Sequence, residues 1–152
     1  MLYKRGLAIG TFDLFHIGHL HFLQSASRLC NQLVVAIDSD ERVFEHKGHY
    51  PVISAPDRLR IVEGLKCVTN VKINETNDNV EEWANEGIDV IFIGANWMHD
   101  KDWKQKSERL KHKGIAVHYI IPYAGISTTQ IINKIRTSNF CSRTPFFPST
   151  KE

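Results

Sequence analysis

The chain has no apolar run near the ~20 residues that a membrane-spanning helix requires. Its opening, Met1-Leu2-Tyr3-Lys4-Arg5 and then Leu7-Ala8-Ile9, holds too few apolar residues for a signal peptide. Cysteine is scarce. Cys30, Cys67 and Cys141 are odd in number, widely spaced and form no CxxC pair, which excludes a disulfide framework or a cysteine zinc site and points to a reducing cytoplasm. Charge of one sign is also missing. Nineteen basic against seventeen acidic residues leave +2 with histidine neutral, too little to attract nucleic acid or a membrane surface in bulk, so neither is expected as a partner. There is no internal repeat. The 152 residues suit one domain, long enough to bury roughly two thirds of the surface of the unfolded chain.

Short apolar runs alternate with amphipathic stretches. Leu7–Ile9, Leu33–Ile37, Val71–Ile73, Val90–Ile93 and Val117–Ile121 read as five strands, continuous rather than alternating, as in a sheet covered on both faces. Helices are predicted over His19–Leu29, Ala55–Leu65, Val80–Glu86, Asp102–Lys113 and Ser127–Arg136. Pro56 sits near the start of the second, and Gly114 follows the basic end of the fourth. The alternation predicts an α/β fold: a single Rossmann-like, doubly wound, five-stranded parallel sheet with helices on both faces. Residues 1–136 form the expected domain and 137–152 a C-terminal tail. Pro145 and Pro148 break its pattern, while Phe140, Phe146 and Phe147 suggest packing against a second subunit.

The first chemical motif, Gly10-Thr11-Phe12-Asp13-Leu14-Phe15-His16-Ile17-Gly18-His19, links the first strand to the first helix. Ligands of open α/β sheets collect at the carboxyl ends of strands. A loop that opens a helix there offers free N–H groups and a positive dipole end to phosphate. Gly10 and Gly18 allow close backbone approach, and His16 and His19, three apart, share one side of the helix start. Asp13 is placed either to orient the loop by turn hydrogen bonds or to help hold a metal ion. A dinucleotide fingerprint is excluded because the glycines lie eight residues apart with no third, and no Walker A string occurs. Zinc on His16, His19 and His21 fails because positions 19 and 21 face different ways and no Cys or carboxylate completes the set.

The second motif, Gly125-Ile126-Ser127-Thr128-Thr129, follows the last strand and opens the last helix. Ser127 suits an N-cap, and the clustered hydroxyls make a second phosphate cradle. Between the motifs, a loop lysine, Lys47, and an arginine at a helix start, Arg58, could neutralise charge on a transferring phosphoryl group.

The first string resembles the signature of the nucleotidyltransferase superfamily that contains glycerol-3-phosphate, phosphocholine and phosphoethanolamine cytidylyltransferases and related adenylyltransferases. The resemblance covers about residues 5–136. It implies that His16 and His19 bind the triphosphate and stabilise the transition state. It places Gly10, Thr11, Phe12 and Gly18 on the nucleotide, Gly125, Ile126, Ser127 and Thr128 on the β- and γ-phosphates, and Lys47 and Arg58 as catalytic charges. Two departures stand out. Pro122 occupies a place where those relatives carry arginine, and Gly94-Ala95-Asn96-Trp97 replaces Gly-Asp-Asp-Trp. Gly94, Asn96 and Trp97 remain nucleotide contacts, Trp97 by stacking, and both the base and the alcohol are left open.

The implied reaction is in-line transfer of CMP from CTP to a small phosphorylated alcohol, glycerol 3-phosphate first, with pyrophosphate released and Mg²⁺ bridging phosphates. The resemblance also implies a homodimer. The alternatives are an adenylyltransferase acting on a sugar phosphate or a flavin-type acceptor, and a non-catalytic nucleotide-binding module.

Overall fold

In each strand, neighbouring apolar residues point to opposite faces, so a run without polar interruptions needs a cover on both sides. The computed structural model, which describes residues 2–76 and 79–138, meets that demand. Its elements run β1 (Tyr3–Gly10), α1 (Ile17–Ser27), β2 (Cys30–Asp38), α2 (Asp40–Lys47), α3 (Ala55–Glu63), β3 (Asn70–Asn74), α4 (Val80–Asn85), β4 (Val90–Gly94), a 3₁₀ turn (Ala95–Trp97), α5 (Lys101–His112), β5 (Ala116–Ile120) and α6 (Thr128–Thr137). The strands are all parallel, in the order β3-β2-β1-β4-β5. This is the predicted five-stranded, doubly wound α/β fold.

The core divides by strand parity. Ala8, Val35, Ile37, Val90 and Phe92 pack on one side with Leu23 and Ala26 of α1 and Val62 of α3. Leu7, Val34, Ala36, Ile91 and Ile93 pack on the other with Val80 and Trp83 of α4 and Leu110 of α5. On that second side, the ammonium of Lys106 lies over the rings of Trp83 and Trp103 at 5.6 and 5.1 Å.

The chain winds outward from β1 in both directions, so the strand order reverses between β1 and β4. Gly6 pairs with Val90, and both strands end four residues further on, at Gly10 and Gly94. Their carboxyl ends are therefore level, and the crevice of a doubly wound sheet opens there.

α2 was not predicted, and Lys47 was expected in a loop. Only Val43 of its eight residues is buried, so no apolar stripe marks it. Its ends were legible nonetheless. Ser39 Oγ accepts from Arg42 N at 3.2 Å, Asp40 and Glu41 fill the first turn, His46 and Lys47 the last, and Gly48 closes it at φ 73°. No helix among the described residues is long and apolar enough to cross a membrane. The expectation for the tail, including Phe140, Phe146 and Phe147, lies outside the described residues.

Gly6 sits where sheet and core meet most tightly. A Cβ there would lie 2.3 Å from Phe92 Cε2 and 3.0 Å from Cys30 Sγ, both side chains buried. Gly6→Ala is expected to cost about 1–3 kcal/mol by overpacking. That would lower the thermal midpoint by roughly 2–4 °C for each kcal/mol, and an unchanged midpoint would show that Phe92 moves aside freely.

Candidate active site

The loop leaving β1 is held in a conformation that ordinary residues avoid. Phe12 and Leu14 have φ of 55° and 47°, each costing about 1–3 kcal/mol unless the surroundings impose it. The residue between them does the imposing. Asp13 is only 5% exposed, and its carboxylate accepts from three backbone N–H groups: Leu14 at 3.0 Å, Ile53 at 2.9 Å and Val52 at 2.8 Å. Asp13 thereby uses three of its carboxylate's roughly four lone-pair sites. It orients the loop, and it reaches across to the segment before α3 as well as to its own turn.

His16 caps α1. Its backbone is extended, and its Nδ1 accepts from Gly18 N at 3.0 Å. An accepting Nδ1 in a neutral imidazole leaves the proton on Nε2, the atom free to donate to a ligand. A Cβ on Gly18 would stand 2.8 Å from the His16 ring and 3.4 Å from Ile126 Cγ2, so glycine is required for this cap. The His16 and His19 rings stack with centroids 3.9 Å apart, and Phe12 and Phe15 each lie 5.5 Å from His19. Burial, first, and then the adjoining His16 lower the pKa of His19 to about 4; Asp13 opposes the shift and Lys47 adds to it. Burial also lowers the pKa of His16. In the free protein burial thus favours the uncharged form of both imidazoles. Among the described residues no group of three or more His, Cys, Asp or Glu is placed to hold a metal ion.

The second cradle lies against the first. Ser127 caps α6, its hydroxyl accepting from Gln130 N at 3.2 Å. Thr128 Oγ1 donates to the backbone carbonyl of Asp13 at 2.9 Å, a contact spanning 115 residues of sequence. Ile126 faces Gly18, and Tyr123 sits 5.6 Å from His21. A hollow of about 180 Å³, lined by Gly125, Ile126, Gln130, Ile131 and Lys134, adjoins this junction. A larger hollow of about 360 Å³ lies beside Tyr3, Asp89 and Ala116 at the opposite end of the sheet, away from both motifs.

The two basic residues behave differently. Lys47, at the end of α2, extends its Nζ to Thr11 Oγ1 at 3.2 Å and so stands beside the first loop. Arg58 does not present its charge to that loop's open side. It is fully buried, with Nε on the Ile53 carbonyl at 2.9 Å, Nη1 on the Thr11 carbonyl, and Nη2 on the Asp38 carbonyl at 2.8 Å and Asp40 Oδ1 at 2.7 Å. In this arrangement Arg58 acts as a brace. It ties the ends of β1 and β2 to the segment before α3, because a guanidinium away from water must satisfy its donors locally. Sequence spacing could not separate these two roles.

Gly10, Thr11, Phe12, Gly18 and the 125–128 segment are thus brought together with both histidines and Lys47. Gly94, Asn96 and Trp97 lie at the adjoining end of β4. A Cβ on Gly94 would collide with Asn96 Oδ1 at 2.5 Å, and Trp97 is 46% exposed.

Residues 7–134 match the family described as Cytidylyltransferase-like, and the chain belongs to that family. It is 38% identical over 138 residues to a FAD synthase of Thermococcus sibiricus, covering 87% of this chain and 91% of that protein. It is 33% identical over 143 residues to a FAD synthase of Korarchaeum cryptofilum, covering 91% and 95%. A lipopolysaccharide core biosynthesis protein from Thermoplasma volcanium shares the fold, with a TM-score of 0.66, 24% identity, and 81% and 98% of the two chains covered. The superfamily resemblance holds. Glycerol-3-phosphate cytidylyltransferase, expected as the nearest kind, does not: the relatives above carry another name.

Arg58→Ala is expected to destabilise the fold by about 1–3 kcal/mol, because carbonyls at Thr11, Asp38 and Ile53 lose their donor. Urea unfolding measures this. Full stability with lost turnover would return Arg58 to a direct role on substrate.

Proposed function

We propose that this member of the cytidylyltransferase-like family is an adenylyltransferase that transfers AMP from ATP to the phosphate of flavin mononucleotide, forming FAD and pyrophosphate. The observation that carries the nucleotidyl-transfer reading is the Thr128–Asp13 bond, which sets two helix starts on one crevice. Similarity to FAD synthases supports ATP and a flavin acceptor over CTP and glycerol 3-phosphate. The uncharged Gly94-Ala95-Asn96-Trp97 run and Pro122 agree with a change of base and acceptor relative to those enzymes.

In this reading the triphosphate lies along the N-terminus of α1, with its β- and γ-phosphates at Ser127 and Thr128. Gly10, Thr11, Phe12 and Gly18 shape the floor, and Gly125 and Ile126 lead into the second cradle. The adenine lies toward Gly94, Asn96 and Trp97. A phosphate oxygen of the flavin nucleotide attacks the α-phosphorus, the bond to the bridging oxygen breaks, and pyrophosphate leaves with the electron pair. Neutral His16 and His19 donate hydrogen bonds as negative charge moves onto the bridging and equatorial oxygens. Lys47 neutralises the leaving group. No covalent enzyme intermediate is required, so catalysis is positioning plus electrostatics.

Asp13 is the carboxylate beside both cradles, and Mg²⁺ entering with the triphosphate would there supply charge neutralisation.

Incubation with Mg²⁺, FMN and either ATP or CTP tests the reading. FAD and pyrophosphate should form with ATP in clear preference to CTP. His16→Ala should lower kcat by about 10²–10³-fold, as for a lost oxyanion donor. Transfer of CMP to glycerol 3-phosphate with no FAD formed would reverse the assignment.

A further inference from the structure

Beside the phosphate crevice is an apolar surface that neither motif uses. Phe44 and Tyr50 stack with ring centroids 4.7 Å apart and planes 24° off parallel. They are nevertheless 45% and 59% exposed, and neighbouring Val52 is 65% exposed. Aromatic rings that stack on each other but remain half open to water form a platform short of a third layer.

The platform is tied to the crevice at two points. Phe44 precedes Lys47 by three residues on α2, so the two residues share one face of that helix, with Cβ atoms roughly 5–6 Å apart. Lys47 Nζ in turn meets Thr11. The other tie is Val52, whose N–H is held by the carboxylate of Asp13 two residues after Tyr50. The platform is thereby fixed to the loop that carries His16. It also lies on the correct flank. β2, which leads into α2, borders β1 on one side, and β4, which leads to Trp97, borders it on the other. A base at Trp97 leaves the α2 side for the acceptor.

We infer that Phe44 and Tyr50 form the acceptor-specificity surface. The flat, π-rich isoalloxazine ring of the flavin stacks on this pair, and its phosphate tail passes Lys47 toward the α-phosphorus. The inference rests on the flavin acceptor proposed above. An apolar platform one helical turn from a single cation matches a planar ring system with an anionic tail. The ring faces offer little to the hydroxyls of a small polyol phosphate.

Tyr50 is exposed, so its substitution leaves the core untouched. Steady-state kinetics of Tyr50→Ala and Tyr50→Phe with ATP and FMN, and quenching of flavin fluorescence in equilibrium titrations, test the placement. Tyr50→Ala is expected to raise KM and Kd for FMN about tenfold (about 1.4 kcal/mol), leaving KM for ATP unchanged, and Tyr50→Phe to restore wild-type values. Lumiflavin, the ring without its tail, should compete with FMN on the wild-type protein and lose that ability on Tyr50→Ala. An unmoved FMN constant in an active Tyr50→Ala protein would overturn the platform alone. A shift in the ATP constant would instead place adenine there and overturn it too. Failure of the wild-type protein to make FAD would remove the acceptor assignment and the platform together.

Discussion

A single buried residue connects the parts on which the site depends. The carboxylate of Asp13 holds the segment before α3, and its carbonyl receives the hydroxyl of Thr128 at the start of α6. Three stretches far apart in sequence therefore meet within one residue of the strained turn between Phe12 and Leu14. A buried carboxylate without partners would be prohibitively costly. With three N–H donors it becomes a rigid bracket, and the strain at Phe12 and Leu14 is the local cost of aiming the loop at the crevice. Arg58 braces the same region from beneath by joining the Thr11 and Asp38 carbonyls. The histidines, Lys47 and the hydroxyls of α6 inherit their positions from this bracket.

The electrostatic design follows from that packing. His16 and His19 stack on each other, Phe12 and Phe15 flank His19, and the same burial disfavours the charged form of both imidazoles. In the proposed reaction, neutral donors would strengthen as charge builds on the reacting phosphate, which favours the transition state.

Much of this was legible in the sequence, and the exceptions have physical causes. Runs such as Val90–Ile93 fixed a covered parallel sheet, because side-chain parity sends Val90 and Phe92 to one core and Ile91 and Ile93 to the other. The two glycine-bearing strings were readable because they combine strand ends with helix starts. α2 was hidden because its support is caps and charge placement rather than an apolar stripe. The direction of Arg58 was also hidden, since a basic residue at a helix start looks the same whether it faces ligand or core. Asp13 was readable as a turn residue or an ion holder but not as a bracket, because its partners at 52, 53 and 128 are set by tertiary packing. The Phe44–Tyr50 pair left no periodic signal, one ring lying on a helix and the other in a loop. Base and acceptor were unreadable for a simpler reason: they are chosen by the surroundings of the crevice, while the motifs describe its phosphate-binding floor.

Both helix starts should grip the same triphosphate. Amide hydrogen exchange with a non-reactive α,β-methylene analogue of ATP tests it most directly. The first-turn amides of α1 and of α6 should gain protection together, at one ligand concentration. Protection confined to α1, with α6 exchanging as in the free protein, would contradict it.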